Sequence, residues 1–349
     1  IGYHAFHLGE HLQFNNFQVT LIADNRSNDG KEEKLFDKGL NFKVKRISWN
    51  SIRVFMYLKR IYLLFKWAKD VDIIIASGKF SLWSVAFVSL FYKRNYIAVI
   101  HGSEVNFKKS FLKKSIEMSL ERFSKIIAVS SFTKNLIRHL NLETVVIPNG
   151  YDSNKWRTHI SASTSLNGYP NLITVGNVTL RKGQLQVIKQ LPELLKIYPE
   201  IQYHCVGIPT EREAFKKSAV DLGVEEHVHF HGRLEDNKLQ TLLMAMDVFV
   251  MLSVETETGD VEGFGMALIE ANGLGIPTIG AKNCGIEDAV LDGKSGILVS
   301  HTEPLGIQVA IQSILKSHDI YKLEAKKWAE THRWKDIIKH YISEIEKFI

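Results

Sequence analysis

The stretch Val261-Glu262-Gly263-Phe264-Gly265-Met266-Ala267-Leu268-Ile269-Glu270-Ala271 places a Gly-x-Gly turn directly before a helical pattern, with a carboxylate on each side. Glycines at such a turn let a ligand approach the backbone, and free N–H groups at a helix N-terminus bind phosphate. Eight helical residues from Glu262 to Glu270 rise about 12 Å, whereas the two carboxylates of a glycosidase lie roughly 5 to 9.5 Å apart. The pair therefore predicts contacts with opposite ends of one elongated ligand.

Around this stretch, short β-branched runs alternate with helical patterns along almost the whole chain. The strand candidates are 18–23, 72–76, 96–100, 125–129 and 144–147 in the first half, and 171–175, 201–206, 227–231, 248–251, 278–280 and 296–299 in the second. Such alternation is typical of parallel sheets covered by helices. The polar stretch 152–168 between the two sets reads as a linker. The sequence thus predicts an α/β protein with two Rossmann-like domains and a cleft between them.

The first residues depart from this alternation. A helical pattern with Ala5, Leu8 and Leu12 begins at once, whereas a doubly wound domain normally begins with a strand and a Gly-containing turn. We therefore expect that the opening strand is missing and that Gly2 is the part of that turn which remains.

The composition argues against several classes of protein. Of the 349 residues, 45% are hydrophobic and 23% are charged, as in a soluble globular protein of about two domains. The longest nearly uncharged apolar stretch, 80–92, is shorter than the roughly 20 residues of a transmembrane helix, and no secretory signal is visible. Cys205 and Cys284 stand far apart, which favours a reducing compartment and disfavours a disulfide framework or structural zinc site. We expect a cytoplasmic protein.

The net charge of +6 is unequally distributed. Residues 1–150 have 23 Lys and Arg against 12 Asp and Glu, a net charge of +11, and the remainder has 21 against 26, a net of −5. Basic residues alternate with apolar ones over 53–69, and they are Arg53, Lys59, Arg60, Lys66 and Lys69. This pattern is more typical of an amphipathic helix at an anionic membrane than of a nucleic-acid groove. A helix packed on the core with a solvated basic face is the alternative.

Further segments accompany the Glu262-x7-Glu270 pattern in a fixed order. They are His101-Gly102-Ser103-Glu104, Val129-Ser130-Ser131, Val146-Ile147-Pro148-Asn149-Gly150-Tyr151-Asp152, Val175-Gly176-Asn177, Arg181-Lys182-Gly183, Cys284-Gly285-Ile286-Glu287 and Gly293-x-x-Gly296. Together they resemble the family 4 retaining glycosyltransferases, which have the GT-B fold. The resemblance implies an acceptor-side domain at 1–155, a nucleotide-sugar-binding domain at 169–325, and a C-terminal helix at 326–349 that packs back on the first domain.

The resemblance also implies the residues of the site. The catalytic ones would be His101, Lys182 and Glu262, and the other donor contacts would be Gly2, Asn177, Arg181, Gly232, Arg233, Gly263, Phe264, Gly265 and Glu270. Glu262 would contact the donor sugar, Glu270 the ribose hydroxyls, and His101 the sugar near its anomeric carbon. Because Asn177 stands where the family has an arginine, the diphosphate would depend on Lys182, with Arg181 as a substitute. No residue is placed as a nucleophile, which favours same-face displacement without a metal.

Several other groups could suggest a metal site or a surface contact. They are Asp70 with Asp72, His4 with His7 and His11, His227 with His229 and His231, and the acidic group Glu255, Glu257 and Asp260. Asp70 and Asp72 match the D-x-D that holds a metal in the other large glycosyltransferase fold, but they lie at a helix-to-strand junction just before the strand 73–75. The two histidine sets have no Cys or carboxylate partners at ligand spacing, and the acidic group does not match a calcium loop, so no metal ligand is predicted. The cluster Lys108, Lys109, Lys113 and Lys114 fits a solvated face or a contact with lipid or acceptor.

These observations predict a retaining glycosyltransferase. It would transfer a hexose from a UDP-, GDP- or ADP-sugar to a cell-envelope polysaccharide or lipid-linked acceptor, without a further cofactor or nucleic acid, in the cytoplasm or peripherally at the cytosolic membrane face. The alternatives are a soluble GT-B synthase of a small glycoside or storage glucan, and a non-catalytic sugar-binding protein.

Overall fold

The computed structural model describes residues 2–25, 27–156, 166–300, 303 and 305–349. The chain forms two compact units. Unit 1 comprises Ile1–Val129, Thr133–Asn149 and Trp334–Ile349, and unit 2 comprises Ser130–Phe132 and Gly150–Arg333. Residues 157–165 of the predicted linker lie outside the described residues.

Unit 1 is built on parallel strands with helices between them. The strands are β1 (Thr20–Asp24), β2 (Lys43–Ile47), β3 (Ile73–Ser77), β4 (Asn95–Ile100), β5 (Lys125–Ala128) and β6 (Thr144–Val146). The helices are α1 (Gly2–Phe14), α2 (Lys31–Asp37), α3 (Arg53–Ala68), α4 (Lys79–Val88), α5 (Ser110–Leu120) and α6 (Ser131–Leu136), with α13 (Trp334–Ile345) returning at the C-terminal end. The first two residues of α6 are assigned to unit 2. The apolar run 96–100 in β4 is buried throughout, as expected for a parallel strand covered on both faces.

Three features of unit 1 were not predicted. Its described strands form two sheets, β1-β2 and β3-β4-β5-β6. Strand β2 was not predicted, because Lys43, Lys45 and Arg46 give it the composition of a charged loop. Gly2 lies in the first turn of α1 and not in a tight turn.

Helix α13 packs on α1 within unit 1. The His4 Nε2 atom lies 2.9 Å from the Tyr341 hydroxyl, and the ring of His7 stacks on that of Trp334 with centroids 5.7 Å apart. Tyr341 and Trp334 are both buried. The C-terminal segment therefore contributes apolar and polar contacts to the core of unit 1.

Unit 2 has one sheet of six parallel strands. The strands are β7 (Asn171–Val175), β8 (Gln202–Val206), β9 (Val228–Gly232), β10 (Val248–Met251), β11 (Thr278–Ala281) and β12 (Gly296–Val299), each within one residue of its predicted position. The helices are α7 (Gln184–Leu195), α8 (Arg212–Asp221), α9 (Asp236–Met244), α10 (Met266–Gly273), α11 (Gly306–Lys316) and α12 (His318–Glu330). The predicted start of the last segment, residue 326, lies inside α12.

The strand order of this sheet fixes where a ligand can bind. The order is β12-β11-β10-β7-β8-β9, so the chain runs outward from β7 to β9 and then returns to the other side of β7. The direction reverses between β7 and β10. In open α/β sheets, ligands bind outside the carboxyl ends of the strands at such a switch point. The loops that follow β7 and β10 are therefore the place to look for a site.

Among the described residues, no helix is long and apolar enough to cross a membrane.

Candidate active site

The loop after β7 carries two cations to the switch point. Gly183, which ends this loop, has a φ of +80°, and a Cβ there would lie 2.0 Å from the carbonyl oxygen of Leu252, at the end of β10. Only glycine fits that approach. A Cβ at Gly176 would lie 3.2 Å from Cε of Lys182, so the lysine side chain runs back over the loop's first glycine.

The loop after β10 brings Glu262 to the same place. The backbone N–H of Gly285 donates to the carbonyl oxygen of Glu262 at 2.8 Å, and a Cβ at Gly285 would lie 2.1 Å from the carbonyl group of Gly263. Phe264 is buried, and Gly265 has a φ of +93° directly before α10. These contacts fix the backbone on both sides of the Glu262 carboxylate.

Arg181, Lys182 and Glu262 form one ionic cluster. Lys182 Nζ and Arg181 Nη1 each lie 2.6 Å from Oε2 of Glu262. Asp260 accepts from Arg181 Nε at 3.1 Å. Burial by itself raises the pKa of Glu262, but the charges and hydrogen bonds of Lys182 and Arg181 outweigh burial and hold that pKa below its ordinary value. Glu262 is thus ionised, and both cations are positioned before any ligand arrives.

The second carboxylate, Glu270 on α10, has the opposite character. Burial raises its pKa to about 7, although the Lys155 ammonium, the Trp156 indole and Lys182 act to lower it. Two carboxylates eight residues apart therefore differ in protonation: Glu262 is anionic at neutral pH, and Glu270 is close to half-protonated.

The carboxyl ends of β7, β8 and β9 form a row of glycines. The N–H of Gly176 donates to Val206 at 2.8 Å, and the N–H of Gly207 donates to Gly232 at 2.9 Å. Gly232 has a φ of +66° and open space where a Cβ would be. The next residue, Arg233, is exposed. This edge therefore has open space at Gly232 and an exposed cation beside it.

Asn177, at the position of the missing arginine, is exposed, and its carbonyl oxygen accepts from Gln184 Nε2 at 3.1 Å. The buried Gln184 side chain also lies 3.4 Å from the carbonyl oxygen of Gly176. Asn177 is therefore held through its backbone. Arg181, four residues later, is one of the two cations that reach Glu262.

In unit 1, His101 follows β4 and is fixed by two hydrogen bonds. Its Nε2 atom lies 2.9 Å from Oγ of Ser77, and its backbone N–H donates to the buried Glu104 carboxyl at 2.6 Å. The ring of His4 meets it edge-on with centroids 5.0 Å apart. Burial and the neighbouring His4 hold the pKa of His101 well below its ordinary value. Its imidazole is neutral at physiological pH.

Some of these neighbours were not predicted as parts of the site. Ser77 beside His101, and Lys155 beside Glu270, are separated in sequence from every motif. Asp260 was noted only as one of an acidic group. A useful signal was its position two residues before Glu262, which puts both carboxylates in one short loop facing Arg181.

The histidines of β8 and β9 form a separate group on the sheet. His204 Nδ1 lies 2.9 Å from His231 Nε2, and His229 Nε2 lies 2.7 Å from Oε1 of Gln202. Burial and the neighbouring imidazoles lower the pKa of His204 to about 3. Their hydrogen bonds give these rings a structural role in the sheet.

Two family models together match nearly the whole chain. Residues 157–333 match "Glycosyl transferases group 1", and residues 1–155 match "Glycosyltransferase Family 4". Solved structures with the GT-B glycosyltransferase fold are similar at low sequence identity. A glycosyltransferase from Rickettsia africae has a TM-score of 0.79 at 18% identity, with 99% of this chain and 94% of that chain covered. Anabaena Alr3699/HepE, in complex with UDP and glucose, has a TM-score of 0.76 at 17% identity, covering 95% and 100%.

Curated relatives include enzymes with different acceptors. A GDP-mannose-dependent α-(1-6)-phosphatidylinositol monomannoside mannosyltransferase of Mycolicibacterium smegmatis is 28% identical over 233 residues, which is 64% of this chain and 61% of that protein. A glycogen synthase of Mycobacterium tuberculosis is 25% identical over 280 residues, which is 76% of this chain and 64% of that protein. The chain thus spans about three fifths of the length of the relatives it matches.

Proposed function

The chain belongs to the group 1 glycosyltransferases of family 4, and on this premise we propose that it transfers a hexose, with retention, from a nucleoside-diphosphate sugar to a cell-envelope polysaccharide or a lipid-linked acceptor. The observation that carries this proposal is the ionic cluster of Arg181, Lys182 and Glu262 at the switch point. The cluster supplies two cations that Glu262 fixes in place. They lie at the switch point, where the strand order of unit 2 favours a ligand.

The cluster suits a diphosphate leaving group. As the bond from the anomeric carbon to the phosphate oxygen breaks, negative charge grows on the diphosphate, and cations held in place beforehand stabilise that charge most. Arg181 offers a planar group that can bind two oxygens, and Lys182 offers a compact charge. We propose that these cations, with the N–H groups that begin α10, serve in place of a metal ion.

Retention is proposed from the resemblance to the retaining family, and because no carboxylate is placed as a nucleophile, the proposed route to retention is same-face displacement. Both cations bind Oε2 of Glu262, which lowers the basicity of that carboxylate. The acceptor hydroxyl would attack the anomeric carbon on the face that the diphosphate leaves, and its proton would pass to a diphosphate oxygen. Neutral His101 would hydrogen-bond the sugar, and Glu270 would accept hydrogen bonds from the ribose.

Helix α3 supports an acceptor at a membrane. Phe55, Leu58 and Tyr62, which lie on one face, are 56%, 57% and 63% exposed. Lys59 and Lys66 are exposed on the same side of the helix. A face that combines apolar and basic residues binds anionic bilayers through both insertion and charge.

The exposed apolar surface continues beyond α3. Phe65 packs against Phe91 with ring centroids 5.2 Å apart, and Phe87, Leu90 and Phe91 at the end of α4 are 45%, 55% and 61% exposed. The mannosyltransferase relative named above carries phosphatidylinositol monomannoside in its name, which is in keeping with such a surface. The glycogen synthase relative favours the second candidate, a synthase with a free acceptor.

Donor hydrolysis followed by proton NMR tests the retaining reaction without knowledge of the acceptor. The chain is incubated with UDP-glucose, GDP-mannose or ADP-glucose, and the anomer released first is recorded before mutarotation. Retention predicts that the sugar released first from an α-linked donor is the α-anomer. Lys182→Ala should not release this product. A β-sugar as first product would contradict the retaining mechanism.

A further inference from the structure

A compact group of metal-binding side chains lies on α1, in unit 1. His7, Glu10 and His11 share one helix face at the spacing i, i+3 and i+4. His7 Nδ1 lies 3.4 Å from Oε2 of Glu10, and His11 Nδ1 lies 3.9 Å from the same oxygen. Among the residues that the structure describes, this is the only group of three potential ligands whose atoms all lie within 4.8 Å of one another.

The two separations from Glu10 are close to those of a tetrahedral zinc site, and the His7 and His11 ligand atoms lie within 4.8 Å of each other. With metal–ligand bonds of 2.0 to 2.1 Å, two ligand atoms at a tetrahedral angle lie about 3.3 Å apart. The pair of His7 and Glu10 nearly meets that value, and His11 needs to move by less than 1 Å toward Glu10 on the same estimate. Binding also requires His11 Nδ1 to release the carbonyl oxygen of His7, which lies 2.9 Å away.

The surroundings hold one side of the group and leave the other open. Trp334 on α13 stacks on His7 at 5.7 Å, with planes 22° apart, and its ring lies 5.8 Å from that of His11. His7 is buried, whereas the side chains of His11 and Glu10 are 21% and 28% exposed. An ion between them can therefore reach solvent and complete its coordination with water.

We propose that His7, Glu10 and His11 bind a divalent transition-metal ion of the zinc type, and that this ion stabilises the packing of α1 on α13. The sequence pattern grouped His4 with these histidines and did not include a carboxylate. The structure changes both points, since His4 bonds to Tyr341 and Glu10 takes its place in the group. Two imidazoles and one carboxylate form a ligand set that zinc commonly takes.

Calorimetric titration of the whole chain with Zn²⁺ tests the site, using protein purified without a histidine tag and stripped of metal. The wild type should bind one ion at this site and gain thermal stability. His11→Ala and Glu10→Gln should each weaken Zn²⁺ binding by about 100-fold or more. Loss of a residue that only hydrogen-bonds a metal ligand already costs about 10- to 100-fold in metal affinity. The two partly exposed positions are chosen because replacing buried His7 could unfold unit 1.

Trp334 offers a second readout at the site itself. Cu²⁺ bound to His7 and His11 should quench the fluorescence of Trp334. The chain has six tryptophans, and Trp334→Phe should abolish the Trp334 share of the quenching. The same variant should still bind Zn²⁺. His139→Ala is the matched control, because it removes an imidazole that lies 2.7 Å from Glu117 elsewhere in unit 1. Undiminished Zn²⁺ binding by His11→Ala and Glu10→Gln, or none by the wild type, would overturn the proposal.

Discussion

Glu262 and Glu270 show how surroundings divide two identical side chains into different roles. Glu262 lies against Arg181 and Lys182, which outweigh the effect of burial and keep its pKa low. Glu270 lacks a direct ion pair of that kind among the contacts described, and burial raises its pKa to about 7. In the proposed reaction the first carboxylate would organise cations for a diphosphate, and the second has a protonation state that a ligand can change.

Lys182→Ala tests the diphosphate role. We expect a loss of about 2 to 4 kcal/mol of transition-state stabilisation, measured as kcat/KM for donor hydrolysis, because the charge that Lys182 meets grows as the bond breaks. Arg181→Ala should cost less, since Lys182 still contacts Glu262. Lys189→Ala, an exposed lysine on α7, is the control and should retain full activity. Equal kcat/KM in wild type and Lys182→Ala would refute the role.

Glu270 predicts a pH dependence of nucleoside binding. Only the ionised carboxylate accepts hydrogen bonds from both ribose hydroxyls, so the affinity should rise about tenfold from pH 6 to pH 8 for a pKa near 7. Nucleosides are used because they carry no titrating phosphate. Glu270→Gln should bind with an affinity independent of pH. A flat profile in the wild type would contradict the proposed ribose contact.

The same raised pKa affects stability in a defined direction. Between about pH 4.5 and 7, folded Glu270 keeps a proton that the unfolded chain releases, so this group lowers the free energy of unfolding as the pH rises. Glu270→Gln should therefore flatten the fall in melting temperature over that range. A difference between the two proteins that does not change with pH would contradict the raised pKa.

The sequence predicted the residues of the ionic cluster but not how they pair. Arg181, Lys182 and Glu262 stand in recognisable motifs. Their sharing of one carboxylate oxygen depends on the close approach of Gly183 to Leu252, which joins two loops far apart in the chain. The contact of Asp260 with Arg181 depends on that same approach.

At the scale of elements, α3 shows where a charge pattern misleads. The sequence placed Arg60 with the other basic residues on a membrane-facing side. In the structure Arg60 is buried, and its Nη2 atom binds Asp24 at 2.6 Å. A periodic pattern gives the face of a residue only to within a neighbouring position, and a partner on β1 cannot be read from it.

Reversal of the exposed charges on α3 tests the membrane surface. Each basic residue near an anionic bilayer contributes roughly 1 kcal/mol, so Lys59→Glu with Lys66→Glu should weaken binding to phosphatidylglycerol vesicles by at least about 30-fold. Sedimentation with vesicles measures it, and added salt should weaken wild-type binding as well. Lys216→Glu with Lys217→Glu on α8 makes the same change of net charge in unit 2 and should have little effect. Equal losses of vesicle binding in the two double variants would mean that only the net charge of the chain matters, and would contradict a membrane surface on α3.

The six strands of unit 2 were predicted to within one residue, whereas β2 was missed. Strands β10 and β12 are apolar runs, and β8 and β9 contain histidines but keep β-branched or aromatic residues beside them. Strand β2 contains Lys43, Lys45 and Arg46 among its five residues, so its composition indicates a charged loop rather than a strand. Gly2 suits either a turn or a helix, and only the chain around it decides.

For the whole molecule, the proposed mechanism and the proposed zinc site predict different effects of metal removal. In the proposed mechanism Arg181 and Lys182 supply the positive charge that magnesium supplies in other transferases, so donor hydrolysis should continue in excess EDTA. The melting temperature of the Zn²⁺-bound chain should fall in the same excess of EDTA. Loss of hydrolysis that Mg²⁺ or Mn²⁺ restores would contradict the metal-independent mechanism and return attention to Asp70 and Asp72.

The most direct test of the central claim is a thermal-shift measurement of the whole chain with UDP, GDP and ADP. A ligand at 100 times its Kd stabilises the folded state by about 2.7 kcal/mol, which raises the melting temperature of a unit of this size by about 5 to 10 °C. We predict such a rise with at least one of the three nucleotides and little or none with Lys182→Ala. No rise with any nucleotide, or an equal rise in Lys182→Ala, would contradict a diphosphate site at Arg181, Lys182 and Glu262.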